Sequence, residues 1–270
     1  MGDFDDINAR GLVLVGCGRM GGAMLRGWLA RGLEPGAVTV IDPRLAPEWQ
    51  DKGLRVNADL PADPVVLVLA VKPQMMAEAL GGVPKLSDTL VLSVAAGTTI
   101  ATFEAAFPGA PIIRVMPNTP AAIGQGISAM IGNSRATPAH LDLAQALMAA
   151  VGRVVRLESE DQMDAVTGLS GSGPAYVFHL IEAMAKAGEA QGLPAALSLE
   201  LARMTVAGAG ALAIDADEDP AVLRENVTSP GGTTAAGLKV LMDPDTGLPP
   251  LMARTVAAAT ERGRELGRVQ

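Results

Sequence analysis

Three glycines stand in the spacing G-x-G-x-x-G within Gly16-Cys17-Gly18-Arg19-Met20-Gly21. The run follows a short apolar segment, Leu12 to Val15, and opens a stretch of helical spacing from Arg19 to Arg31. Between a strand and a helix, the first glycine permits the turn and the second lets a pyrophosphate approach the backbone. The third lets helix and strand pack closely, while the helix N-terminus offers amide donors. That chemistry is dinucleotide binding, with a tight structural turn as the alternative. Cys17 occupies a variable slot of the motif and reads as a small residue that fits, not as a redox group. Asp42 follows a second apolar segment, Val38 to Ile41, where an acid would accept hydrogen bonds from an adenosine ribose and favour NAD. Arg44, two residues on, could instead hold a 2′-phosphate, and Asp42 could equally cap a turn before Pro43.

Two further polar, glycine-bearing runs stand out. Gly168, Gly171 and Gly173 lie in Thr167-Gly-Leu-Ser-Gly-Ser-Gly-Pro-Ala-Tyr176, with Pro174 suited to a first helical turn and Ser172 to a cap. The run resembles the glycine motif of β-hydroxyacid dehydrogenases, but Tyr176 stands where that family has its catalytic lysine, which argues against alcohol oxidation by a lysine acid/base. Downstream, Asn226-Val-Thr-Ser-Pro-Gly-Gly-Thr-Thr234 separates two helical stretches. Its hydroxyls and the amides at the next helix start could grip a small carboxylate; a C-cap followed by an N-cap is the plainer reading.

The elements that must position these runs change character along the chain. Leu12 to Val15, Val38 to Ile41, Val65 to Val71, Leu90 to Val94, Ile112 to Val115 and Arg153 to Leu157 read as strands. Helices at Arg19 to Arg31, Gln74 to Leu80, Ile100 to Ala106 and Pro138 to Val151 alternate with them, which predicts a parallel sheet with crossover helices. After the acidic patch Glu158 to Asp161 only helical spacing remains, at Pro174 to Gln191, Ala195 to Ile214, Pro220 to Asn226, Thr233 to Met242 and Pro249 to Leu266. The predicted division is residues 1–158 and residues 159–270: an α/β Rossmann-type N-terminal domain followed by an all-α C-terminal domain. Met204 to Ile214 is apolar around its whole circumference, so a subunit interface is expected to cover it.

Composition narrows the partners. The chain has 270 residues, 49% hydrophobic, enough to bury a core and to exclude a disordered tail. Its formal net charge is -8 with no unmixed Lys/Arg stretch, which excludes a phosphate-backbone partner. No apolar run approaches the roughly 20 residues of a membrane span. Met1 to Asp6 is the opposite of a basic signal-peptide head, so a cytoplasmic protein with no membrane partner is expected. One Cys and two His, His140 and His179, predict no disulfide and no bound metal. His179 reads as a packed or interface histidine. Two Trp, one Tyr and four Phe against 13 Met and 31 Gly give a core of small and flexible side chains that would gain from burial against a second subunit.

Taken together, the chain resembles the pyrroline-5-carboxylate reductase family nearly end to end. The resemblance rests on Val15 to Gly21, Leu69-Ala-Val-Lys-Pro73, Ser93-Val-Ala-Ala-Gly97, Met116-Pro-Asn-Thr-Pro120, Asp164 to Tyr176 and Asn226 to Thr234. It implies a dinucleotide domain followed by a helical dimerisation domain, a homodimer or higher homo-oligomer, NADPH or NADH as cofactor, and 1-pyrroline-5-carboxylate as substrate. It implies that Gly16, Cys17, Gly18, Arg19, Met20 and Gly21 hold the pyrophosphate and that Asn57 lies near the adenosine ribose. By the same resemblance Ala70, Val71, Lys72 and Pro73 line the cofactor, and Ala95, Ala96 and Gly97 approach the nicotinamide. Lys72 could also be a strand-end charge in solvent. Ser229, Gly231, Gly232 and Thr234 match the substrate loop, with Thr234 near the imine nitrogen and Ser229 beside it. An imine or β-hydroxyacid reductase of the same architecture, or a non-catalytic NAD(P)-binding scaffold, are the competing readings.

Overall fold

A computed structural model describes residues 4–83 and 88–268; Met1 to Asp3 of the acidic start lie outside the described residues. The chain forms two compact units, Met1–Gly171 with Ala259–Gln270, and Ser172–Ala258. Strands end near residue 158 as the sequence predicts, but packing does not divide there: the first unit runs on to Gly171 and takes back the end of the last helix.

The first unit contains α1 (Asp5–Arg10), β1 (Leu12–Val15), α2 (Arg19–Ala30), β2 (Val38–Ile41), β3 (Arg55–Val56), β4 (Val66–Leu69) and α3 (Met76–Gly81). It continues through β5 (Leu90–Ser93), α4 (Ile100–Ala106), β6 (Ile112–Met116), β7 (Gly126–Gly132), α5 (Pro138–Ala149), β8 (Gly152–Arg156) and α6 (Met163–Val166). Among the described residues eight strands form one sheet in the order β3-β2-β1-β4-β5-β6-β7-β8. The central strands are buried on both faces. Leu12, Leu14, Val38, Val40, Val66 and Val68 pack under Met24, Leu25, Trp28 and Met148 on one side. Val13, Val15, Leu67 and Leu69 meet Met76, Ile100 and Phe103 on the other. Continuous apolar runs are what this double burial requires. Trp28 donates from Nε1 to the Leu147 carbonyl at 2.8 Å, so its one polar atom is satisfied inside the core.

Register does the positioning. Val15 lies opposite Ile41 of β2 and Leu69 of β4, and Leu69 lies opposite Ser93 of β5. Four strand ends are thereby level, and the residues that follow them, Gly16, Asp42, Ala70 and Val94, emerge along one edge of the sheet. That edge includes the β1/β4 boundary where the strand order reverses, the crevice in which open α/β sheets bind ligands.

The sheet is not wholly parallel: β7, which the sequence reading lacks, runs antiparallel to β6. The segment from Pro117 to Gln125 is too short for a crossover helix, so the chain turns back directly through the 3-10 turn Thr119–Ile123. Helix α5 then returns β8 parallel to β7.

The second unit holds α7 (Gly173–Ala190), α8 (Ala195–Asp215), α9 (Pro220–Asn226), α10 (Thr233–Leu241) and the first half of α11 (Leu248–Arg268). Helices α7 and α8 pack through small residues: Ala185 and Ala202 are buried, and a Cβ on Gly188 would sit 2.9 Å from Ser198 Oγ. Much else in α8 is uncovered, with Leu201, Met204, Leu212 and Ile214 at 48–66% exposure. By length and composition α8 could cross a membrane, contrary to the expectation that no run approaches that length. Alanines and glycines interleaved with Leu and Val keep its mean hydropathy at 1.4 even though no unbroken run of large apolar residues is present. His179, read as a packed or interface histidine, is 82% exposed within the single chain and lies 3.2 Å from Glu182.

Candidate active site

The dinucleotide turn is built from contacts that only glycine allows. Gly16 has φ +90°, and a Cβ there would stand 2.8 Å from the Ala70 carbonyl oxygen. A Cβ on Gly21 would collide with the Gly16 carbonyl, so the third glycine lets α2 seat on the turn. A Cβ on Gly18 would meet nothing within 4 Å. Gly18 precedes α2 in an extended conformation, and no side chain caps the helix. The first-turn amides of Arg19, Met20 and Gly21 therefore open onto clear space, the cradle a pyrophosphate needs.

Cys17 is buried beneath this turn, and its thiol is pushed up to about 12, first by burial and then by the charges of Asp42 and Glu48. It stays protonated at neutral pH and serves as filler. Its backbone N–H donates to Asp42 Oδ2 at 2.8 Å, and the Arg44 N–H donates to Asp42 Oδ1 at 2.8 Å. Asp42 does cap the turn before Pro43, and it also ties β2 to the glycine loop. Asn57, at φ +47°, accepts the Asp42 N–H on Oδ1 at 2.9 Å and donates from Nδ2 to the Asp42 carbonyl at 3.1 Å. Its amide is spent on fixing Asp42, a role that sequence spacing does not reveal.

Beside this arrangement lies a cavity of about 600 Å³, within the range of small-molecule sites. Val15, Ile41, Pro43, Leu60, Met75 and Ala79 give it apolar walls, and Asp59 and Glu78 are its acidic lining residues. The sequence reading names none of these as site residues; the apolar residues after Asn57 and Pro73 were the available signal.

Farther along the sheet edge, the Ala70 N–H donates to Val15, and Val71 and Pro73 are half-buried. Lys72 is exposed, and its carbonyl accepts the Met75 N–H. Ala95 and Gly97 are buried with Ala96 partly so, and Gly97 has φ +78°. Asn118, also missed, accepts the Ile127 N–H at 3.0 Å and donates to Ser170 Oγ at 3.5 Å. Ser170 sits in a π-helical segment, Thr167–Gly171, a widened turn that recurs at functional sites. Because the chain is already helical there, Ser172 makes no side-chain cap for α7, contrary to its sequence reading; Pro174 does lie in the first turn.

In the second unit, Thr228 Oγ1 donates to the Arg224 carbonyl at 2.6 Å and closes α9. Gly231 takes φ +71°, and Gly232 begins α10 without a side-chain cap. Ser229, Gly231 and Thr234 are exposed and Gly232 partly so, which leaves both hydroxyls and the α10 N-terminal amides free for a ligand.

A family model described as "Pyrroline-5-carboxylate reductase dimerisation" matches residues 160–266, and one described as "NADP oxidoreductase coenzyme F420-dependent" matches residues 12–97. A pyrroline-5-carboxylate reductase of Methanosarcina acetivorans is 38% identical over 264 residues, covering 94% of this chain and 97% of that protein. The solved structure of the Coxiella burnetii enzyme of that name superposes with a TM-score of 0.86 at 32% identity, covering 95% of this chain and 98% of that one. A Plasmodium falciparum pyrroline carboxylate reductase solved with NADP bound gives 0.81 at 27% identity, over 96% of this chain and 99% of that one.

Proposed function

This chain belongs to the pyrroline-5-carboxylate reductase family, and from that premise we propose that residues 1–158 bind the dinucleotide while residues 159–270 pair two copies and hold the substrate. The protein is a homo-oligomeric, NAD(P)H-dependent oxidoreductase that reduces 1-pyrroline-5-carboxylate to proline, the last step of proline biosynthesis. The observation that carries this reading is the dinucleotide turn, where Gly16 and Gly21 close the backbone and Gly18 leaves the α2 amides open.

The substrate is a cyclic imine with a carboxylate. Its carbon–nitrogen bond takes up a hydride at carbon and a proton at nitrogen, and NAD(P)H, when bound, supplies the hydride. A protonated imine is already electrophilic, so the protein's part is to orient two reactants and exclude water. The amides of Arg19, Met20 and Gly21 hold the pyrophosphate, Asp42, held by the Arg44 backbone N–H and by Asn57, shapes the ribose end, and residues 70–73 and 95–97 line the remainder of the cofactor. Ser229, the Gly231 amide and the first-turn amides of α10 hold the carboxylate, helped by the dipole of α10. Thr234 sets its hydroxyl at the ring nitrogen. The exposed apolar flank of α8 is what the second copy covers, and the substrate loop of one copy serves the cofactor of the other. The cytoplasm is the compartment we assign.

The test is turnover by the purified chain. Proline should form in step with cofactor oxidation. A chain that binds NAD(P)H and consumes none with this imine is a scaffold, and one that prefers hydroxy acids or other imines is a different reductase.

A further inference from the structure

We propose that this chain selects NADH over NADPH, and that Asp42, held by Cys17, Arg44 and Asn57, is the residue that makes the choice. The inference rests on the dinucleotide reading of the glycine turn and goes beyond it, since that turn contacts only the part the two cofactors share.

In either cofactor a ribose joins the adenine to the pyrophosphate. The pyrophosphate belongs on the α2 amides, and the apolar-walled cavity beside the turn has the size and lining for the adenine. Asp42 stands at the border of the two. Its chain neighbours Ile41 and Pro43 both line the cavity, and its carboxylate is bonded to Cys17 of the turn. The ribose must pass this carboxylate.

The carboxylate is fixed before any ligand arrives. Each oxygen accepts one backbone N–H at 2.8 Å, and the Asn57 amide holds the Asp42 backbone from both sides. A carboxylate has about four lone-pair sites, so two stay available to accept from the ribose hydroxyls. A 2′-phosphate offers no such donors at neutral pH and brings a charge of about -1.5 to -2 against a fixed anion. Asp59 and Glu78, both exposed and both lining the cavity, add repulsion of the same sign.

Arg44, two residues along the chain, is a cation that could oppose this. Its backbone N–H serves the Asp42 turn, but its exposed side chain is not among the residues lining the cavity. Such a solvated side chain does not outweigh a carboxylate locked in position at the ribose.

The test is direct binding, measured by fluorescence or calorimetric titration of the full chain with NADH and NADPH separately. The wild-type chain should bind NADH tighter by about ten-fold or more. Asp42→Asn should narrow that ratio by a similar factor, mainly through stronger NADPH binding. Because Asn cannot accept both backbone amides, Glu78→Gln serves as a second variant outside the turn: it should narrow the ratio less, and less still at high salt. Arg44→Ala should leave NADPH affinity within about two-fold. Equal or tighter binding of NADPH by the wild-type chain would overturn the proposal, as would a large loss of NADPH affinity in Arg44→Ala. Binding of neither cofactor would overturn the dinucleotide reading itself and the proposal with it.

Discussion

Glu160 Oε1 accepts from Arg114 Nη1 at 2.6 Å and from the Ile100 backbone N–H at 2.9 Å. The Arg114 side chain is only 5% exposed. A single carboxylate oxygen thus neutralises a charge inside the sheet and caps the start of α4, directly after the Ala95 to Gly97 turn. Glu160→Ala should destabilise the chain by about 3 kcal/mol, because it strands a buried guanidinium. Replacing both partners, as Arg114→Met with Glu160→Leu, should cost less than the single change. Urea denaturation followed by circular dichroism compares them, and a double variant weaker than the single would contradict the ion-pair account.

The three glycines of the dinucleotide turn should fail differently. Gly18→Ala meets no atom and should change stability by no more than about 1 kcal/mol, through the weaker N-cap, yet reduce cofactor affinity about ten-fold. Gly21→Ala drives a methyl into the Gly16 carbonyl and should lower stability by roughly 1–3 kcal/mol. Thermal melts and cofactor titrations on both variants separate the two effects.

His140 makes stability depend on pH. Its Nδ1 accepts the Thr137 N–H at 3.1 Å in the capping box of α5, and burial holds its pKa below the ordinary 6.5. The unfolded chain therefore binds the proton more readily. The contribution is fully present above 6.5 and is lost as pH falls through that value toward the lower folded one. The urea midpoint should drop between about pH 8 and about pH 5, and His140→Gln should flatten that part of the profile.

Ala209, on the uncovered part of α8, is exposed within one chain. Arg at this position is harmless to a lone chain and severe at an interface, where its charge is buried without a partner. Ala209→Arg should shift the protein to a smaller species in light scattering while keeping most of its helical signal. An unchanged oligomer would place the interface elsewhere.

How much of this was legible depended on how local the cause is. β1 and β2 are bounded in the sequence because burial on both faces demands uninterrupted apolar residues, and Gly16 and Gly21 are recognisable because their backbones admit nothing else. β7 is different: Gly126-Ile-Ser-Ala-Met-Ile-Gly132 carries little intrinsic strand signal, and only pairing with β6 and β8 makes it a strand. Glu160 sits in an acidic patch that the sequence marks only as the changeover between domains, and only the fold turns it toward Arg114. The work of Asn57 on Asp42 and of Asn118 on Ser170 spans 15 and 52 residues of sequence, with no periodicity to announce it.

The central claim is that one copy's dinucleotide turn works with the other copy's substrate loop. Gly18→Asp sets a charge against the pyrophosphate, and Thr234→Arg blocks the loop at an exposed position; each alone should abolish most proline formation. Co-expressed, the two variants form mixed dimers in which one site has an intact turn from one copy and an intact loop from the other. The measurement is the rate of proline formation by purified mixed dimers. The account predicts recovery well above the mean of the two separate variants, whereas no recovery, with mixed dimers demonstrably present, would contradict it.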